Sequence, residues 1–172
     1  MVNMNVTQTP VEDFNMYWLV NGTNGGSINI DTLRSFNIYN DSLKVSFFNL
    51  NNYGNNAYNY FYNSKVEGDV NISNVNTFGG GYHTDVAGNT FTGNTVFTNN
   101  SSNIFYDGYG SGNNYLGNVT YNRTGNDFNI GINDTNSYAG NLSVNSINPV
   151  TMNLMRFNGN INGTLNQLSS AP

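Results

Sequence analysis

The side chains able to do chemistry are few. Ten Asp and Glu, five Lys and Arg and one histidine, His83, are spread over 172 residues, and there is no cysteine. A single histidine without thiolates cannot assemble a zinc-type ligand set, so no metal is expected. Carboxylate chemistry on a glycosidic bond needs two acids at a defined separation. The pairs able to meet are Glu67 with Asp69 and Asp127 with Asp134, and a polysaccharide-cleaving enzyme would have to draw on Asp107, Asp127 or Asp134. Acids scattered among Asn/Gly-rich turns read first as turn and solubility residues. Ca²⁺ at turn carboxylates stays open as an alternative, although the dense Asp repeats of calcium β-rolls are missing. Thr77-Phe-Gly-Gly-Gly-Tyr-His83 is glycine-rich but has no lysine and no Ser/Thr opening a helix, so it reads as a loop and not as a phosphate cradle. No cofactor is expected.

The chemically regular feature is amides. Asn94, Asn118 and Asn141 each follow a glycine, and Asp69 and Asn160 fit the same slot. If the segments carrying them stack at roughly 4.8 Å, these five form a ladder whose side chains bond to one another, a known stabiliser of stacked parallel strands. Outward positions further along each segment bring Asn71, Thr98, Thr120, Asn122, Ser143 and Asn145 onto one flat face of short polar groups. Such a face suits plain solvent contact, a sugar-binding wall or an ice-binding plane.

The elements that must position these groups come from a recurring phrase. It reads Phe-Thr-Gly-Asn-Thr-Val-Phe97, Tyr-Leu-Gly-Asn-Val-Thr-Tyr121 and Tyr-Ala-Gly-Asn-Leu-Ser-Val144, which places Gly93, Gly117 and Gly140 at a nearly even spacing. Upstream, Val66-Glu-Gly-Asp-Val-Asn-Ile72 fits; Tyr39 to Val45 and Gly26 to Ile30 fit more loosely. Downstream, Phe157-Asn-Gly-Asn-Ile161 repeats the first half after a shorter step. A fixed period in this range marks a solenoid.

Within the phrase, aromatic or aliphatic residues alternate with Asn, Thr and Ser, which is a strand with one buried face. Phe91, Tyr115, Tyr138 and Phe157 share the position two before the glycine and should form an aromatic stack. The inward glycine reads as a bend, or as a gap covered by that aromatic. A second strand follows in each unit, with Ile104 and Tyr106, then Phe128, Ile130 and Ile132, then Val150, Met152 and Leu154 as its apolar positions. Tyr58, Tyr60 and Tyr62 also alternate; core or ladder packing is the first reading and an exposed binding stripe the second.

The expected fold is therefore all-β: a right-handed parallel β-helix with coils of about 23 to 25 residues. Residues 1 to 25 lack the repeat and hold the only tryptophan, in Phe14 to Val20; they are read as an N-terminal cap, with residues 26 to 172 as solenoid repeats of a single domain. An antiparallel sandwich is the alternative.

Only 9% of residues are charged and the formal net charge is −5. Five scattered Lys and Arg cannot neutralise a run of phosphates, so nucleic acid is not an expected partner. No apolar run is long enough to span a bilayer, so no membrane insertion is expected. Twelve Tyr and eleven Phe at periodic positions set this Asn-rich chain apart from disordered ones.

The succession Asn89 to Phe97, Asn114 to Asn122 and Ser137 to Asn145 resembles the repeats of very large secreted surface proteins of gliding and environmental Bacteroidota, many described as adhesins. The resemblance covers residues 66 to 165. It implies export by a type IX system, an extracellular or cell-surface location, and a chain that is one segment of something longer. Its partners would be neighbouring repeats or further copies of itself, and polysaccharide. The expected function is a non-catalytic surface module, a stalk or weak glycan binder. The alternatives are a carbohydrate-active β-helix, such as a phage tail-spike depolymerase or a lyase, and an ice-binding protein.

Overall fold

The computed structural model describes residues 3–7, 14–16, 20–21, 26–32, 36–39, 43–53, 59–75, 83–125, 128–146, 159–161, 163 and 165–169. Every regular element among them is a strand. In chain order these are β1 (Asn3–Thr7), β2 (Phe14–Met16), β3 (Val20–Asn21), β4 (Ser27–Thr32), β5 (Phe36–Tyr39), β6 (Leu43–Asn52) and β7 (Asn59–Tyr62). Then come β8 (Lys65–Asn74), β9 (His83–Ala87), β10 (Thr90–Phe91), β11 (Thr95–Asn99), β12 (Ile104–Asp107) and β13 (Asn114–Tyr115). The last are β14 (Val119–Arg123), β15 (Phe128–Ile130), β16 (Asn136–Tyr138), β17 (Leu142–Ser146), β18 (Gly159–Ile161) and β19 (Leu165–Ser169).

All pairings among these strands are parallel, and they build a thirteen-stranded and a six-stranded sheet. The chain is a parallel β-solenoid, as the period predicts. β11, β12 and β13 make one coil, and β14, β15 and β16 make the next: a long-sheet strand, a crossing to the six-stranded sheet, and a short return strand that ends at the glycine corner. In β6 and β8 the return strand runs straight on into the following coil, with a bulge between Lys44 and Phe47.

The expected cap, residues 1 to 25, contributes β1, β2 and β3, which pair with β4, β5 and β6. It is thus built as a coil of the same stack, while Trp18 lies outside the described residues.

The aromatic column forms as expected for its first three members. Phe91 pairs with Tyr115 and Tyr115 with Tyr138. Their rings stack at 5.2 Å and 5.1 Å with interplanar angles of 10° and 13°. All three rings are fully buried. Burying large rings removes the most apolar surface per residue, and offset stacking adds to that gain.

The fourth member is different. Tyr138 pairs with Ile161, and Leu142 with Leu165, so the next corner glycine is Gly163, which keeps the spacing set by Gly117 and Gly140. Phe157 lies outside the described residues, and its expected place is taken by Ile161. A corner at Gly159 would have shortened one coil and thrown Leu142–Ser146 out of register with Leu165–Ser169. The match at Phe157-Asn-Gly-Asn is a coincidence of composition.

The chain bends at Gly93, Gly117 and Gly140, as the first reading expects, and the stacking of the bends adds a second reason for glycine. A Cβ on Gly93 would lie 2.2 Å from the Gly68 carbonyl oxygen, on Gly117 2.3 Å from that of Gly93, and on Gly140 2.6 Å from that of Gly117. Stacked corners approach so closely that no side chain fits between them. Two further segments lie in a different phase from the one expected. On β12 the inward residues are Phe105 and Asp107, not Ile104 and Tyr106. Upstream, Leu43 occupies the position expected for Tyr39, because Leu43 pairs with Val66 and Val66 with Phe91. On β15 Phe128 and Ile130 point inward as expected, whereas Val150, Met152 and Leu154 lie outside the described residues.

Candidate functional site

The asparagine ladder exists over four members. The Asn94 backbone N–H donates to Oδ1 of Asp69 (2.8 Å), that of Asn118 to Asn94 (3.2 Å), and that of Asn141 to Asn118 (2.9 Å). The carbonyls of Asn94, Asn118 and Asn141 in turn accept from Val70, Thr95 and Val119 of the preceding coil, each at 2.8 Å. The side chains do not bond one another as expected. Each oxygen replaces a backbone acceptor where the strand turns the corner, which satisfies a donor the sheet cannot reach. Asn160 is not a member, since it pairs with Ser137, four positions before the ladder residue Asn141.

The flat polar face is also present. Asn71, Val96, Thr120 and Ser143 form one outward column, and Thr98, Asn122 and Asn145 the neighbouring one. Here side-chain amides do bond up the stack: Asn71 to Asn49 (2.6 Å) and Asn145 to Asn122 (2.8 Å), with a long contact from Asn122 to Thr98 (3.5 Å). All six expected face residues are half-buried. Polar groups already bonded between coils have less left to offer a ligand. The mixture of Val96, Thr120 and Ser143 in one column is not the uniform threonine ranks that an ice plane requires.

The acids separate into structural roles. Asp107 is fully buried between the sheets. Its Oδ1 accepts from Asn113 Nδ2 (2.6 Å) and the Tyr115 hydroxyl (2.5 Å), and its Oδ2 from Asn136 Nδ2 (2.7 Å) and the Tyr121 hydroxyl. Burial pushes its carboxyl up to about 6, against the four hydrogen bonds that favour the charged form. Asn113 and Asn136 belong to an inner amide column not among the expected ones: the backbone N–H of Asn89 donates to Asn113 Oδ1 (2.8 Å) and that of Asn113 to Asn136 Oδ1 (2.7 Å). Its signal is an asparagine four before each glycine. Asp134 is exposed and accepts from the backbone of Gly112 (3.0 Å) and Thr135 (2.7 Å), which holds its carboxyl below the usual range. Glu67 pairs with Lys65 at 2.9 Å. Asp127 lies outside the described residues. Asp107 is closed off from solvent and Asp134 is engaged by two backbone donors.

The one cluster of chemistry-bearing groups at the surface of the described residues lies on the outer face of the six-stranded sheet. Inward positions on β7 go to Asn59 and Phe61, so Tyr60 and Tyr62 point outward and pack in a ladder of rings, not in the core, while Tyr58 lies outside the described residues. Period-two alternation identifies two faces but not which one is inside. Tyr60, Asp85 and Tyr106 stand in one stacked column. Asp85 Oδ2 accepts from the Tyr62 hydroxyl at 2.7 Å and lies 3.2 Å from His83 Nε2.

Rings surround this acid. Tyr39 meets Tyr62 at 5.7 Å, Tyr62 meets Tyr60 at 5.3 Å, and His83 lies 6.4 Å from Tyr60 and 5.0 Å from Tyr106. Tyr106 continues to Tyr109 at 5.2 Å, and Tyr109 is exposed. Burial and the Asp85 carboxylate push the Tyr62 phenol well up, so it stays protonated and donates. His83, expected in a loop, is the first residue of β9; the rest of that loop, from Thr77 to Tyr82, lies outside the described residues.

Among the described residues no group of three His, Cys, Asp or Glu is placed to hold a metal, and no helix is long and apolar enough to cross a membrane. Comparison with protein-family models, with curated proteins and with solved structures returns no match.

Proposed function

We propose that this protein is a non-catalytic repeat module of an extracellular surface protein, a stalk whose outer faces bind glycan weakly. The observation that carries this reading is the array of tyrosines around Asp85 and His83, an amphipathic ring surface with hydrogen-bonding groups set into it, the composition that saccharide recognition uses. The resemblance to Bacteroidota surface repeats supports the location, and parallel stacking extends naturally to neighbouring repeats of a longer chain or to self-association. The flat Asn/Thr/Ser face is a second, weaker contact surface on this reading.

A carbohydrate-active β-helix is the second reading, and Asp85 beside His83 is the pair on which it rests. Incubation with bacterial polysaccharides, followed by reducing-end and unsaturated-uronate assays, separates the two. Retention on a glycan column without turnover is the expected result. Turnover that vanishes in Asp85→Asn would replace the adhesive reading with the enzymatic one.

A further inference from the structure

We infer that the outer tyrosine array is a receptor for cationic saccharides, glycans whose sugars carry free amino groups, as in de-N-acetylated hexosamine polymers. The inference rests on the glycan-binding reading above and adds the ligand's charge.

Asp85 points out of the sheet, between Tyr60 and Tyr106 in its column, yet it is only 2% exposed among the aromatic side chains around it. One carboxylate oxygen holds Tyr62 and His83; the other, Oδ1, is buried with no hydrogen-bond partner among the described residues. Among those residues no lysine or arginine pairs with it either. A buried carboxylate with an idle oxygen and no permanent cation projects its field through a low-dielectric shell of rings, where screening is weak. Those rings are themselves attractive to cations, which bind over the faces of tyrosine within about 6 Å of the centroid.

Ring geometry points the same way. His83 stands at 82° to Tyr60 and 87° to Tyr106, and Tyr60 is tilted 52° from Tyr62. These rings do not form one flat plate on which successive sugar faces could lie. They pack at angles to one another, so their π faces point in several directions, and such faces attract cations. The net charge of −5 adds a general attraction for cations and works against uronates and sulfated sugars.

The test is titration of the protein with glucosamine oligomers and with N-acetylglucosamine oligomers of equal length, in a slightly acid buffer where the amine is charged, with polylysine as a comparator. The expected result is tighter binding of the free-amine oligomer by about tenfold. Asp85→Asn should abolish that preference while keeping the weaker binding of the N-acetylated oligomer. Tyr109→Ala, at an exposed position, should weaken both oligomers. Equal affinity for the two oligomers overturns the inference but leaves glycan binding standing. Polylysine bound as tightly as the free-amine oligomer also overturns it, since bare charge would then suffice. If neither oligomer nor any neutral glycan binds, the glycan-binding reading fails as well.

Discussion

The hydroxyl of Tyr115 donates to Oδ1 of Asp107 across 2.5 Å in the closed interior of the solenoid. Tyr115 is thus both a plate in the aromatic stack and a donor to a carboxylate placed among buried rings. Two donors meet each oxygen of Asp107, so the group is fully hydrogen-bonded and still lacks a counter-charge among the described residues.

That arrangement makes stability pH-dependent in an unusual direction. An aspartate of ordinary pKa, about 3.9 when unfolded, titrates here at about 6. The folded state therefore binds the proton more tightly, and its extra stability is complete below the unfolded value and lost as pH rises through about 6. The loss is on the order of 3 kcal/mol. Urea melts of the wild type between about pH 4 and pH 7 should show this decline, and Asp107→Asn should flatten it relative to wild type. An unchanged slope in the variant would assign the titration elsewhere.

Tyr115→Ala removes a fully buried ring stacked between Phe91 and Tyr138. The expected cost is about 3 to 5 kcal/mol. Tyr115→Phe keeps the stack and deletes only the donor to Asp107, with an expected cost of about 1 to 3 kcal/mol. Denaturant midpoints of the two variants separate packing from hydrogen bonding.

Gly117→Ala tests the corner. Its Cβ would sit 2.3 Å from the Gly93 carbonyl oxygen, a backbone atom that cannot swing away. Forced separation of two coils should cost about 1 to 3 kcal/mol or more. Thr92→Ala, beside the corner glycine of the preceding coil, should cost far less. Thermal melts of equal midpoint would show that the corners have slack.

Asn118 is expected to tolerate aspartate but not alanine. Its Oδ1 accepts the Asn141 backbone N–H, as Asp69 does for Asn94, so a carboxylate serves equally well. Asn118→Ala leaves that corner donor to solvent at a cost of about 1 kcal/mol, and Asn118→Asp should stay within about 0.5 kcal/mol of wild type. Stability of the alanine form equal to the aspartate form would mean that the ladder contributes nothing.

What could be read in advance depends on what each sequence signal measures. Gly93, Gly117 and Gly140, evenly spaced and each with an aromatic two positions before, determine parallel stacking, because only in-register coils bring Phe91, Tyr115 and Tyr138 together. Near the end of the repeat, period and composition disagree, and the period is right: Gly163 continues the spacing and Phe157-Asn-Gly-Asn does not.

Alternation alone determined that β7 has two faces, while tertiary packing decided that Phe61 goes in and Tyr60 and Tyr62 go out. Both faces offered aromatic or polar groups of similar bulk, so local preference could not choose. The two acids that matter were illegible for one reason. Asp107 takes its donors from Asn113, Tyr115, Tyr121 and Asn136, and Asp85 draws its setting from Tyr60, Tyr62, His83 and Tyr106, groups that spread over more than one coil. A chain position carries residue type and period, but a carboxylate's environment is set by whatever the coils above and below bring to it, and that exists only once they have stacked.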